Sequence, residues 1–313
     1  MRHATLRQMQ VFEAVSRHLS FSRAAQELNL TQPAVSLQIK QLEGLTRLPL
    51  FEQVGRKVYL TEAGETLLDH VRTVLSAVEN ADEAMAALRG EAAGKLRIGV
   101  ISTAKYVAPT ILSAFETGFP GIDLSLTVGN RQQILSLLAD NAVDLAIMGR
   151  PPTSISVNAV PFAPHPMIFI ANPSHPLIGK KITLSELDGQ AFLLREKGSG
   201  TRTLMEELLH ENGVTPSKVF EMTSNETIKQ GVMAGMGVSF ISAHTVGLEV
   251  AVGRIEVMDV ADTPVMREWF AVTREGKRLL PVAEAFIKFL VDRGDELIDK
   301  AIKGPPLRRR RRQ

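Results

Sequence analysis

Apolar residues at helical spacing organise the first sixty positions. Leu6, Met9, Phe12, Ala14 and Val15 predict an amphipathic helix from about Thr5 to His18. Ser22 offers a side-chain oxygen to cap a second helix, Arg23-Ala24-Ala25-Gln26-Glu27-Leu28, which Asn29-Leu30 breaks. Thr31 caps a third helix. Pro33 falls in its first turn, where the missing N–H costs no hydrogen bond, and Val35, Ile39 and Leu42 mark its buried side. Gln32, Ala34, Ser36, Leu37, Gln38, Lys40 and Gln41 are left on the more exposed faces. Leu50-Phe51-Glu52 and Lys57-Val58-Tyr59-Leu60 then read as two short strands joined by Gln53-Val54-Gly55-Arg56, a hairpin with glycine at its turn.

From Thr61 the period changes. Leu67, Val71, Val74, Val78, Ala81, Met85 and Leu88 alternate spacings of four and three, a coiled-coil seam of about three heptads that calls for a partner helix or for packing on the helix's own domain. Gly90-Glu91-Ala92-Ala93-Gly94 breaks this helix and reads as a hinge. Beyond it strands alternate with helices. Strands are expected at 95–101, 122–128 and 144–148, with helices between them, the β-α-β-α-β pattern of a parallel sheet. A second block has strands at 167–171, 191–194, 219–222 and 238–242 and helices after Gly200-Thr201 and from Asn225. A strand at 268–272 and an amphipathic helix at 281–292 return to the first block. His165 and His175, beside prolines, are expected in surface loops.

Composition narrows the chemistry. The 313 residues carry 44% hydrophobic and 22% charged side chains, ordinary for globular chains, and suffice for two or three compact units. No run approaches 18 apolar residues and the first residues lack a signal-like apolar stretch, so a cytoplasmic protein without a membrane partner is expected. Zero cysteines and seven scattered histidines argue against disulfides, thiolate sites and a bound metal. Residues 1–60 hold eight Lys and Arg against four acids, whereas the remainder is nearly balanced at 28 against 30 even with the run Arg308 to Arg312. A small basic head on a neutral body suits a phosphate-contacting module joined to a sensor. The tail 304–313 reads as disordered, either a solvated end or a source of non-specific DNA contact.

The head also carries a specific likeness. Phe21-Ser22-Arg23-Ala24-Ala25, Leu28-Asn29-Leu30-Thr31-Gln32-Pro33-Ala34-Val35-Ser36, Gln38-Ile39-Lys40-Gln41-Leu42-Glu43, Leu50-Phe51-Glu52 and Leu60-Thr61-Glu62-Ala63-Gly64 keep the order and spacing of the N-terminal signature that it resembles, that of LysR-type transcriptional regulators. The resemblance implies a winged helix-turn-helix reading double-stranded DNA. Candidate DNA contacts are Ser22, Arg23, Thr31, Gln32, Pro33, Ala34, Ser36, Leu37, Gln38 and Lys40, with Arg56 and Lys57 on the wing; Gln and Ser suit base edges, Ala and Leu a thymine methyl, and the cations phosphates. Leu37 and Gln53 depart from the family, many of whose members carry arginine there.

The two α/β lobes with two crossovers resemble the type-2 periplasmic-binding-protein fold of the family's effector domains. The fold class is thus α plus α/β: head 1–60, linker helix and hinge 61–93, effector domain 94–303 (lobe I about 94–164 and 267–303, lobe II about 165–266) and tail 304–313. In open α/β sheets ligands gather at strand ends and helix N-termini. Ser102, Thr103, Lys105, Asn130, Arg131, Arg150, Pro151, Arg195, Ser199, Gly200, Thr201, Arg202, Asn225 and Glu226 fall there. Cations and hydroxyls dominate this set, which favours an anion, although Asp140, Asp144, Glu196 or Glu226 would neutralise some cations.

Stretches such as Leu96 to Tyr106, Asp144 to Pro152, Gly198-Ser199-Gly200-Thr201-Arg202 and Ser224-Asn225-Glu226-Thr227 also look like the regulators of Calvin-cycle (RubisCO) operons. That likeness implies a small-molecule effector such as a phosphorylated Calvin-cycle metabolite, phosphoenolpyruvate or NADPH, no tightly held cofactor, a pseudo-palindromic operator, a dimer or tetramer, and RNA polymerase as a further partner. Three rivals remain: a regulator of another metabolic operon, an α/β enzyme with a DNA-binding head, and an exported solute-binding protein. The enzyme needs a nucleophile or acid-base pair that the strand ends do not show, and the solute-binding protein needs an export signal.

Overall fold

Local caps and buried stripes set the elements of the first unit. The computed structural model describes residues 3–55, 57–88 and 94–303, and the chain divides into two compact units, 1–91 and 92–313. In the first, α1 (Leu6–His18) starts at Thr5, whose side chain and that of Gln8 form a reciprocal capping box. Val11, Phe12, Ala14 and Val15 are buried, but Leu6, expected on that stripe, is exposed and Gln8 is buried instead. Gln8 is held by its bond to Thr5 N–H and by donating to Gln41. The second helix, α2 (Phe21–Glu27), is capped by Ser20 rather than Ser22. The extended backbone at Ser20 lets its hydroxyl accept from Arg23 N–H, which leaves Ser22 exposed within the first turn. Asn29 turns the chain with φ +53, and α3 (Gln32–Thr46) follows with Thr31 as its cap and Val35, Ile39 and Leu42 buried.

Strands β1 (Phe51–Val54) and β2 (Lys57–Leu60) pair antiparallel with Val54 opposite Lys57, so the connection is only residues 55 and 56. Gly55 at φ +63 supplies the backbone such a tight turn demands. The long helix α4 (Glu62–Leu88) is two-natured. Leu67, Leu68 and Val71 complete the core made by α1 to α3, whereas Val74 and Met85 are about half exposed, at 40% and 50%. Residues 90–93 of the expected hinge, wing residue Arg56 and tail 304–313 lie outside the described residues.

The second unit alternates as expected. Strand β3 (Lys95–Ile101) leads through a 3-10 turn at 104–106 to α5 (Ala108–Gly118), then β4 (Asp123–Gly129), α6 (Arg131–Ala139) and β5 (Leu145–Met148). Both β4 and β5 pair parallel to β3. Asp144 locks this arrangement: its buried carboxylate accepts from the Arg97 backbone and guanidinium and from Lys277. Burial alone would raise that carboxyl, but the Arg97 bonds and the Lys277 charge hold it below its ordinary range.

The chain then departs from expectation. Instead of a loop through the prolines at 161, 164 and 166, one 15-residue strand, β6 (Val157–Ala171), runs from the first lobe into the second. Beyond it come β7 (Lys181–Ile182), β8 (Ala191–Arg195), α7 (Gly200–Glu211), β9 (Lys218–Met222), α8 (Asn225–Met233), β10 (Ser239–Ser242), a short α9 (Gly247–Ala251), β11 (Glu256–Val257) and β12 (Asp259–Val260). The return strand β13 (Val265–Arg274) pairs antiparallel with β6 over ten positions, with an irregularity between Trp269 and Phe270. β10 and β11 cover β6 only from residue 167 onward, so its prolines lie where one edge is free of a neighbouring strand and a missing N–H costs no ladder bond there. Finally α10 (Pro281–Lys303) packs Phe286, Leu290 and Leu297 into the core of the first lobe.

Two glycines test the packing of the head. A Cβ at Gly64 would fall 2.1 Å from the Leu50 carbonyl oxygen, whereas one at helical Gly44 meets nothing within 4 Å. Gly64→Ala is expected to destabilise the head by roughly 2 kcal/mol or more, and Gly44→Ala to stabilise it by about 0.5 to 1 kcal/mol, read by hydrogen exchange of the buried α1 and α3 amides. Equal effects of the two substitutions would contradict the packing described.

Candidate functional site

Two surfaces carry the chemistry. On the first unit, Gln32, Pro33, Ser36, Leu37 and Lys40 of α3 are exposed, and Ala34 and Gln38 are half-buried. Pro33, Ser36, Leu37 and Lys40 follow the i, i+3, i+4, i+7 order of one helix face. Leu37 is 55% exposed, an apolar side chain held in water on an otherwise polar face. Ser22 and Arg23 are exposed in the first turn of α2, Thr31 is exposed at the cap of α3, and Lys57 is exposed at the start of β2.

On the second unit a cavity of about 300 Å³ opens between the two lobes. Lobe I contributes Ser102 and Thr103 from the end of β3, Arg131 from α6, and Arg150 and Pro151 after β5; lobe II contributes Ser199, Gly200 and Thr201 where α7 begins. Ser199 makes no side-chain cap on α7, so the first amides of that helix are left as donors beside the cavity. By contrast α6 and α8 are capped by Asn130 and Ser224. Gly200 approaches Arg131 closely enough that an added Cβ would stand 3.4 Å from its Cδ.

Arg131 donates to the carbonyls of Arg150 and Pro151 and, among the described residues, meets no carboxylate. Burial and the neighbouring Arg150 both lower its pKa, the signature of a cation short of counter-charge. Arg150 approaches only an exposed Glu207 at 3.9 Å.

Six of the expected ligand residues are not on the cavity wall. Asn130 is spent as the α6 cap, its side chain accepting from Gln133 N–H. Arg195 is 2% exposed and fully engaged, forked onto Glu196 at 2.8 Å and donating to Asn225 Oδ1 and, across the lobes, to Ser102 Oγ. Arg202 is held by Glu206, Glu221 and the Arg195 carbonyl. Lys105 lies 3.8 Å from Glu226, which also accepts from Tyr106 and Lys229. Burial, with Glu226 second, pushes the Tyr106 hydroxyl up and so keeps it a donor. These side chains tie lobe I to lobe II through Arg195, Ser102, Tyr106 and Glu226, and the expectation that Glu196 and Glu226 would consume cations describes this side of the cleft.

The cavity also holds residues that sequence reasoning missed. Arg267 lines it, directly across the β6–β13 ladder from His165, which lines it as well. His165, expected in an exposed loop, is instead 4% exposed and stacked on Trp269 with ring centroids 3.8 Å apart; His175 is half-exposed in a turn. Only the strand register brings positions 165 and 267 together. Among the described residues, three arginines and no carboxylate line the cavity.

Both units match known protein families. Residues 6–65 match the bacterial regulatory helix-turn-helix protein, lysR family, and residues 89–295 the LysR substrate binding domain. The chain belongs to the LysR family of transcriptional regulators. It is 59% identical over 292 residues to the HTH-type transcriptional regulator CbbR of Rhodospirillum rubrum, covering 93% of this chain and 97% of that one. It is 44% identical to a RuBisCO operon transcriptional regulator of Allochromatium vinosum, over 92% and 96% of the two chains. Among solved structures, the CcmR regulatory domain of Synechocystis PCC6803 in complex with 2-PG shares 40% identity and a TM-score of 0.62, covering 64% of this chain and 97% of that domain. The relatives are named as regulators, not enzymes. Among the described residues no helix is long and apolar enough to cross a membrane.

In this LysR-type regulator Arg195 is a structural cross-link. Arg195→Ala strands Glu196 and Asn225, and is expected to destabilise the effector unit by about 3 kcal/mol, the scale for removing one partner of a buried pair. Thermal unfolding followed through the fluorescence of Trp269, the single tryptophan, reads this; an unchanged midpoint would contradict it.

Proposed function

We propose that this LysR-type regulator controls carbon-fixation genes in response to an anionic, phosphorylated metabolite bound between its lobes. The observation that carries the effector class is the cavity with three arginines, an uncapped helix start and no carboxylate. Relatives named as regulators of RuBisCO operons, and a related domain whose structure holds 2-PG, support the choice of genes and ligand. The contacts assigned to the effector are Ser102, Thr103, Arg131, Arg150, Pro151, Ser199, Gly200 and Thr201, with Arg267 beside them on the cavity wall. Lys105, Arg195 and Glu226 join the two lobes beside it, whereas Asn130, Arg202 and Asn225 make their contacts within one lobe.

On DNA, α3 enters the major groove with Gln32, Pro33, Ala34, Ser36, Leu37, Gln38 and Lys40, while Thr31, Ser22, Arg23, Arg56 and Lys57 anchor phosphates. The head is 1–60, and the linker 61–93 pairs two chains through the exposed half of α4, where Val74, Val78, Ala81 and Met85 continue the seam. A dimer presents two recognition helices to a pseudo-palindrome, and effector domains 94–303 extend the assembly to a tetramer. The protein works in the cytoplasm, where the chromosome is.

Titration of the full chain with phosphoenolpyruvate, ribulose bisphosphate and NADPH tests the ligand class. At least one is expected to bind while neutral sugars do not, and Arg131→Ala and Arg267→Ala are expected to weaken it by roughly ten- to a hundred-fold with DNA affinity in the absence of effector unchanged. Equal binding of a neutral analogue would overturn the anion reading. On the DNA side, Lys57→Ala should lower affinity uniformly across sequences and reduce the slope of log affinity against log salt by about 1. An unchanged slope removes Lys57 from the interface.

A further inference from the structure

His165 is the anomaly of the cavity wall. Its imidazole is 4% exposed, stacks on Trp269 at 3.8 Å and 17°, and has no hydrogen-bond partner at Nδ1 or Nε2. Buried polar atoms without partners are rare and costly, and here both nitrogens of one ring belong to a side chain that lines the ligand cavity. Gly149, on the same wall, abuts the ring: a Cβ added there would stand 2.7 Å from Nδ1.

The charged side chains that line the cavity with the ring are of one sign. Arg267 faces it from β13, and Arg150 and Arg131 line the same cavity from the loop after β5 and from α6. His244, in the 3-10 turn at 243–245, lies 5.8 Å away by ring centroids and accepts from Trp269 Nε1. Asp295 and Asp299 of α10 act on His244, where they oppose the effect of burial. Burial first, then His244 and Arg267, push the His165 imidazole down to about 3, which holds it neutral.

We infer that His165 is the proton-accepting contact of the effector site: it takes up one proton as a phosphoryl dianion enters the cavity and donates the resulting N–H to that group. The inference rests on the anion reading of the cavity and deepens it. The proton comes from solvent, moves to a ring nitrogen, and no other bond is made or broken. A dianion supplies the counter-charge that Arg131, Arg150 and Arg267 lack, and with it the imidazolium is stable where the neutral ring stood before. A phosphate monoester is mostly dianionic above its second pKa near 6, whereas a simple carboxylate brings one charge. The cavity is therefore selective for phosphorylated over merely carboxylated ligands.

Calorimetric titration of the full chain with phosphoenolpyruvate at pH 7.5, in two buffers of different ionisation enthalpy, counts the protons. Net proton uptake is expected, and it grows as the pH is lowered from 7.5 towards 6. His165→Phe, which keeps a ring against Trp269 and removes both nitrogens, is expected to abolish the uptake and weaken binding about ten-fold or more. His165→Gln, retaining hydrogen-bonding capacity without a titrating group, should abolish the uptake with a smaller loss of affinity. Binding by the wild type without proton uptake, or uptake that survives in either variant, overturns the inference and leaves the anion reading standing. A wild type that binds none of phosphoenolpyruvate, ribulose bisphosphate and NADPH overturns both.

Discussion

The ten-position antiparallel ladder between β6 and β13 is the constraint on which the effector unit depends. These two strands are the crossovers between lobes, and everything in the cavity is referred to them. Lobe I is built against their first and last residues through β5 and α10, and lobe II hangs from β6 through β10 and β11. Because side chains alternate along a strand, a slip of one residue would remove His165 and Arg267 from the cavity together and turn Trp269 out of the core. Gly294 on α10 sits against Phe162 so closely that an added Cβ would lie 2.5 Å from its ring, so helix and strand pair fix one another.

Around that ladder the charges divide by role. Cations that face carboxylates, Arg195, Arg202, Lys105 and Lys229, hold elements of the unit to one another. Arg131 and Arg267, which meet none among the described residues, are positioned to respond to what enters the cavity. This separation has a consequence for signalling. A ligand shifts the balance between two lobe arrangements only as far as it binds them unequally, and in the present arrangement Arg131 of lobe I stands beside Gly200 at the start of α7. The Tyr106–Glu226 and Arg195–Ser102 contacts oppose any change in that arrangement.

Much of this was legible in the sequence, and the limits have physical causes. The helices of the head, the βαβ alternation and the return of the last helix follow from hydrophobic period, which burial enforces locally. The Ser20 cap was missed because Ser20 and Ser22 are chemically equivalent in sequence, and backbone conformation alone decides between them. β6 was read as a loop because three prolines break a central strand, and only the sheet order shows that they occupy a stretch with one open edge. The cavity residues at strand ends and at the start of α7 were found by position. His165 and Arg267 were not, since they are 102 residues apart and their meeting is a matter of register. Arg195 looked like a ligand contact because sequence shows that a cation is present and not that Glu196 and Asn225 consume it.

The most direct test of the whole account is footprinting of the full chain at fixed salt on the intergenic region beside its own gene, with and without phosphoenolpyruvate, ribulose bisphosphate and NADPH. A protected pseudo-palindrome whose extent or bending changes with one of these anions is expected. Protection that no anion alters would contradict the coupling of the cavity to DNA, and absence of protection would contradict the account at its root.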